Sequence, residues 1–525
     1  MSRSLASVLM GLALALSAAP LRAEVATSKP TADQLIDRAI DELVALKIDD
    51  AERTLASIDA PSSARADALF ARAQLAFYRG EYEEAVQLAT QANAGATPRE
   101  RKVWDEVSQL MVASRDVTAD YARKTSADGR YVVLYPKGKD EVIAEDAIEV
   151  LGAADRALAA VFGVQIPGPI RLEIYPSPET LAQVSPLTVE QIHTTGTVAL
   201  SKWNRLMITS PKALVRGYPW ADTITHELVH LWVSRLTEER APVWLQEGTA
   251  KLLERSWRSE DNGLTLDAGS RALLHDAKRA GKLLTFDQMH PSIAMLPSED
   301  DAILAFAEVA TFMEAYVSRY GKGALRTGLE SIANGDDARA ALAKAAGNDF
   351  RTLETEWRDG IAVDAPAEAR TLKTRFKGGD DKADESDDVV ESTARKHMRI
   401  GDLLWDRGRA GAASKEYEKA HRADTLDPIV AARWGRAALA SGNPRGAVEA
   451  LTPQKTLYPT HAPTHAVLGA AHLALGQKTE AARALREAVW LNPFDPDPQC
   501  GLAEASSDAR EVARARRACS LLKAQ

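Results

Sequence analysis

The sequence predicts an α+β domain set between two all-α modules built from helix-hairpin repeats. Three observations carry that expectation. Small-residue columns recur every 34 residues near the C-terminus, short alternating apolar runs fill the middle of the chain, and helical spacing dominates after Pro219. At 525 residues the chain is long enough for two to four domains. Hydrophobic residues make up 45% and charged residues 26%, which excludes a wholly disordered, collagen-like or polytopic membrane chain. With 65 Lys and Arg against 74 Asp and Glu, there is no basic surplus to hold nucleic acid.

Residues 1–23 read as an export signal. Arg3 supplies the positive start, residues 5–19 are apolar, and Ala23 offers a small residue at the cut before Glu24. The run is short of the roughly 20 residues that span a bilayer, an uncleaved anchor being the alternative. No cysteine follows it to carry a lipid, and no later stretch predicts a membrane span. The expected location is periplasmic or secreted.

Residues 32–115 read as helical repeats, with Gly80, Ala85, Ala89 and Ala92 in one unit and Ala51 and Leu55 in the unit before it. The mixed segment follows. Tyr131-Val132-Val133-Leu134-Tyr135 predicts a strand, residues 146–162 a helix, and Ile170-Arg171-Leu172-Glu173-Ile174-Tyr175 a second strand. Residues 197–199 and 205–209 suggest a strand pair turning at Lys202-Trp203-Asn204. Trp203 at that turn reads as a core residue rather than a substrate contact. A strand layer followed by helices gives the α+β expectation.

Residues 376–392 crowd acids behind Gly378-Gly379 and predict a flexible, solvated linker. The spacing of a calcium loop is missing there. Residues 394–525 hold the clearest repeat. Gly401, Gly435 and Gly469 are 34 apart, as are Gly408, Gly442 and Gly476, and Ala413, Ala447 and Ala481. Tyr417, Leu451 and Leu485 keep the same register, and a capping helix pair is expected after Pro496. This is the tetratricopeptide pattern of paired helices, a module that binds proteins in its groove. Cys500 and Cys519, the two cysteines, suggest a disulfide in an exported chain, two buried thiols being the alternative.

Chemistry is carried by His226-Glu227-Leu228-Val229-His230, an H-E-x-x-H motif. Histidines four apart on a helix share one face, so both imidazoles can reach one metal ion. Glu227 falls beside that ion, where it can take a proton from water. Catalytic zinc wants three protein ligands and an open position. Glu247 follows His230 by 17 residues, inside Trp244-Leu245-Gln246-Glu247-Gly248, on an expected second helix from Pro242. An antiparallel helix pair would bring it back to the histidines.

Together the two motifs resemble the gluzincin metallopeptidases, and most closely the bacterial peptidase MA-like domain that is often fused to tetratricopeptide repeats. The W-L-Q-E-G segment is also similar to the W-L-N-E-G of the aminopeptidase N-like family. The resemblance covers residues 120–362. It implies one Zn2+ held by His226, His230 and Glu247, with Glu227 as general base. Aminopeptidases of that superfamily carry a G-x-M-E-N strand whose Glu holds the substrate's amino group. The comparable stretch here, Thr195-Gly196-Thr197-Val198-Ala199, has no acid, which favours internal cleavage. As an edge strand it would pair with substrate through Gly196, Thr197 and Val198. The family often has Tyr where this chain has Phe306; Tyr316, Tyr320, His275 and His290 are the substitutes for an oxyanion donor.

The leading expectation is an exported zinc metalloendopeptidase with repeats that bind protein partners or substrates. A repeat-based assembly factor with a weak or inactive peptidase domain is the runner-up, and a zinc aminopeptidase the third. His193, His461, His465 and His472 read as structural.

Overall fold

Alternating large apolar side chains build a five-stranded sheet in the centre of the chain. Its strands are β1 (Ala122–Thr125), β2 (Tyr131–Tyr135), β3 (Ile170–Tyr175), β4 (Ala199–Lys202) and β5 (Arg205–Thr209), in the order β1-β2-β3-β5-β4. β2, β3 and β5 run parallel, and the two outer strands are antiparallel to their neighbours. The computed structural model describes residues 29–259, 263–361, 371–378 and 385–524. The expected export signal lies outside these residues, as do residues 379–384 of the expected linker. No described helix is long and apolar enough to cross a membrane.

Successive residues of a strand face opposite ways. Leu172, Ile174, Leu206 and Ile208 pack with the crossover helix Glu141–Phe162 and the helix Trp220–Thr237. Tyr175 and Met207 pack instead with aromatic and alanine residues of the N-terminal helices. Those helices form hairpins, Ala32–Val44 with Ile48–Ala56 and Ala66–Arg79 with Tyr82–Gly95, followed by Pro98–Thr118.

A buried charge network joins the N-terminal hairpins to the sheet. Glu173 accepts from Arg205 at 3.1 Å, from Arg171 at 2.5 Å, and from the hydroxyls of Tyr82 and Tyr175. Arg205 also donates to Ser114 at 3.2 Å and to the Val184 carbonyl at 3.0 Å. Burial opposes ionisation of Glu173, but the guanidiniums of Arg205 and Arg171 outweigh it and hold its pKa down at about 2.

The hairpin from β4 to β5 turns through Trp203 and Asn204, both left-handed at φ 50° and 61°. That is the conformation a two-residue type I′ turn requires. Trp203 tolerates it because it is buried, 5.5 Å from the Phe77 ring and under the Arg205 guanidinium. The expected strand at 195–199 begins later than the sequence suggested. Residues 189–195 are helical, Gly196 closes that helix at φ 67°, and the strand starts at Ala199. Gly196 lies under Thr374, whose Oγ1 would be 2.6 Å from an added Cβ.

The C-terminal array is four helix pairs. Their first helices start at Ser392, Pro428, Ala462 and Pro496, the last three 34 residues apart. The register has a packing cause. A Cβ on Gly401, Gly435 or Gly469 would meet Tyr417, Leu451 or Leu485 at 2.5, 2.8 and 2.5 Å, so each hairpin sets a large side chain against a missing one. Cys500 and Cys519 are disulfide-bonded and join the last helix pair.

The expected solvated linker is a docked segment wherever it is described. Lys377 N–H donates to Ala213 O and Val215 N–H to Arg375 O, at 2.8 and 2.9 Å. Asp388 accepts from Arg216 at 2.9 Å and Arg375 at 2.8 Å, and Glu385 lies 3.8 Å from Arg216. These guanidiniums neutralise Glu385 and Asp388, the two described acids that they face.

Glu173 stabilises the fold fully above about pH 4.5, its unfolded value, and that stabilisation is lost as pH falls through about 2. Glu173→Gln should lower stability at neutral pH by about 3 kcal/mol, because Arg205 stays buried without its counter-charge. It should also flatten the acid limb of a pH-stability curve followed by tryptophan fluorescence. An unchanged acid limb would count against the network's role.

Candidate metal centre

The helix Trp220–Thr237 is buried almost all round, with Trp220, Ile224, Leu228, Leu231 and Trp232 in the core. It ends where Glu238 and Glu239 both turn left-handed, and a second helix, Val243–Leu253, starts after Pro242. The pair is antiparallel and brings together three side chains that the sequence places in two motifs. His226 Nε2 is 3.2 Å from Glu247 Oε2, and His230 Nε2 is 3.3 Å from the same oxygen. Among the described residues these three form the only group of His, Cys, Asp and Glu close enough to share a metal ion. Metal–ligand bonds of about 2.0–2.2 Å in a tetrahedron put ligand atoms about 3.3–3.5 Å apart, so the spacing fits zinc.

Gly248 and Trp244 aim Glu247. A Cβ on Gly248 would lie 2.6 Å from Met313 and 2.7 Å from the Val309 carbonyl oxygen, so the two helix backbones touch there. Trp244, one turn earlier on the same face, stacks on Phe286 at 4.9 Å and meets Phe312 edge-on. With that face locked to the helix that starts at Glu299, ahead of its break at Gly321, Glu247 turns towards the histidines.

Each imidazole is also held from behind. His226 Nδ1 is 3.2 Å from Glu254 Oε2, and Lys251 holds the other oxygen of Glu254 at 2.6 Å. His230 Nδ1 is 3.2 Å from Gln246 Oε1, while the Gln246 amide nitrogen donates to Ser234. Acceptors at both Nδ1 atoms hold a ring proton there, so that with an ion bound both Nε2 lone pairs would be free to face it. Sequence reasoning misses Glu254 and Gln246. Glu254 follows Glu247 by seven residues, two turns along one face, and that spacing is the available signal.

Burial resists a charge on His226, but hydrogen bonds to Glu247 and Glu254 overcome it and push its pKa up to about 10. His230 moves up as well, against burial, through Glu247. Burial also resists ionisation of Glu247, yet the two histidines drive its pKa far down. Glu227 differs. Burial pushes its pKa up against the pull of the histidines, and its Oε2 is buried without a hydrogen-bond partner.

The other candidates sit elsewhere. Phe306 lies beside His226, ring centroids 6.3 Å apart. Tyr316 is ten residues further along that helix, about 15 Å, and its hydroxyl donates to Leu342 O. Tyr320 accepts from Asn348. His290 lines a cavity with Val243, Asp287 and Arg339, and His275 is buried beside Asp276. His193 packs on Phe376, His461 bonds Thr464, His465 the Pro459 carbonyl and His472 Gln477.

Fold and site together define a peptidase-like domain joined to helical-hairpin repeats. Residues 153–363 match the Peptidase MA superfamily. The matched span contains both helices of the centre and begins inside the crossover helix, after β1 and β2. No curated protein matches the chain. Among solved structures, the first TPR of Spaghetti bound to an HSP90 peptide is 19% identical, with 24% of this chain and 97% of that chain covered and a TM-score of 0.22. A MamA protein is 26% identical over 26% of this chain and 75% of its own, with a TM-score of 0.23. A thermophilic TPR protein of Thermus thermophilus is 22% identical over 25% of this chain and 73% of its own, with a TM-score of 0.23.

Glu254→Ala should weaken metal binding by about 10–100-fold, read by chelator competition, because His226 loses the group that orients it. Gly248→Ala should destabilise the domain by about 1–3 kcal/mol in denaturant unfolding. It should also weaken metal binding, since the helix must move to admit the methyl.

Proposed function

We propose that the chain is an exported zinc metalloendopeptidase that hydrolyses internal peptide bonds of proteins, with its repeats binding protein partners or substrates. One observation carries this reading: two Nε2 atoms converge on one Glu247 oxygen beside a buried carboxylate whose second oxygen has no partner. His226, His230 and Glu247 would hold the ion, and Glu254 and Gln246 would orient the rings. Zinc held there supplies an electrophile and lowers the pKa of its water to about 7. Glu227 takes the proton as water attacks the carbonyl carbon, then returns it to the leaving amine.

β4 ends the sheet and is the edge with which an extended substrate would pair, in place of residues 195–199. A cavity of about 260 Å³ beside Phe306, bordered by Gly196, Glu299 and Tyr458, gives a substrate side chain room. Internal cleavage is favoured because β4 carries no acid for a free amino group, and the Glu299 carboxylate beside the cavity already accepts from the Thr374 N–H at 2.7 Å. The bonded cysteine pair fits an oxidising compartment, which supports export. Phe306 favours the second reading, a repeat-based assembly factor with a weak peptidase domain, since it brings no hydroxyl to the carbonyl oxygen.

Metal analysis and casein cleavage on the full chain separate the readings. The expected result is one zinc per chain and proteolysis in the wild type, with zinc kept and cleavage lost in Glu227→Ala. Glu247→Ala should lose zinc itself. Zinc without cleavage in the wild type would favour the assembly factor, and no zinc at all would end the metallopeptidase assignment.

A further inference from the structure

The superfamily match ends at residue 363, yet the helix bearing His226 and His230 starts on a surface supplied by residues 487–491. Those residues belong to the third hairpin of the C-terminal array, on the helix Lys478–Leu491. Tyr218 N–H donates to the Leu491 carbonyl at 2.8 Å, and Trp220 Nε1 to the Val489 carbonyl at 3.2 Å. Trp490 sits between Trp220 and Trp257, its ring 5.5 and 4.7 Å from theirs. Gly217 lies so close that a Cβ there would be 2.2 Å from the Leu491 carbonyl oxygen.

Arg258 ties this contact to the metal centre. Its Nε and Nη2 hold the two oxygens of Asp222 at 3.0 and 3.2 Å, and its Nη1 holds Glu487 at 2.9 and 3.2 Å. Trp257 adds a bond to Asp222 at 2.7 Å. Asp222 is one turn before His226 on the same helix face. Arg258 also follows Glu254, the carboxylate behind His226, by four residues. One guanidinium thus fixes both the start of the His226 helix and the segment that orients the His226 ring, and the repeat's Glu487 fixes that guanidinium.

We propose that the third repeat hairpin positions His226 through Glu487 and Arg258, so that the metal site is completed by the C-terminal array. Glu487 and Arg258 are positioning residues. The proposal rests on the metal reading above.

The test uses the full chain with zinc and cobalt as probes. Zinc affinity is measured by chelator competition and cobalt geometry by visible absorption, for wild type, Glu487→Gln, Glu487→Asp and Glu480→Gln. Glu480 is an exposed acid on the same helix and serves as the reference. Glu487→Gln should weaken zinc about tenfold and alter the cobalt spectrum. Glu487→Asp should restore most of both, and Glu480→Gln should change neither. A Glu487→Gln protein with wild-type affinity and spectrum overturns the proposal. So does one whose zinc loss follows only its unfolded fraction, with the cobalt spectrum intact. A wild type that binds neither metal overturns the metal reading, and this proposal with it.

Discussion

Glu247 has one oxygen within 3.2–3.3 Å of two imidazoles, and the surrounding architecture exists to keep it there. A carboxylate and two bases buried together are costly unless every remaining polar atom finds a partner. Glu254, Lys251, Gln246 and Ser234 supply those partners behind the rings. Gly248 makes the approach possible, because any side chain there would separate the Glu247 helix from the long helix at its back. Glu227 Oε2 is buried without a hydrogen-bond partner, on the same helix as the two histidines.

The repeats are attached to the α+β domain by opposite means. On the far face of the sheet, Arg205 and Glu173 form a fully buried ion pair roofed by Tyr82, Phe77 and Trp203. On the side of the metal centre, two tryptophans and two backbone carbonyls receive the start of the motif helix, with Arg258 bridging acids from both modules. Terminal helix Ala509–Lys523 adds Arg514 and Arg517 against Asp146, Glu149 and Glu145 of the crossover helix. The sheet and the motif helix are therefore braced from both ends of the chain.

Much of this was legible in the residues. The period of 34 follows from Gly401, Gly435 and Gly469 facing Tyr417, Leu451 and Leu485, a local packing rule that repeats itself. The ligand set was legible because helical spacing fixes which residues share a face, and an antiparallel pair returns Glu247 to the histidines. Two readings missed for different reasons. Glu385 and Asp388 look solvated until Arg216 meets them from a distant part of the chain, which local composition does not contain. The strand expected at 195–199 overlooks a local signal, the Thr188–Gln191 capping box that starts a helix and the left-handed Gly196 that ends it.

The sequence by itself determined the element types, the repeat register and the three side chains that converge, because each rests on spacing within a helix or strand. Tertiary structure alone decided which groups stand behind the ligands and which module holds the motif helix in place. Glu254, Gln246 and Glu487 are ordinary surface-type residues by composition. They acquire their roles only where helix packing removes water and leaves an imidazole or a guanidinium as the available partner.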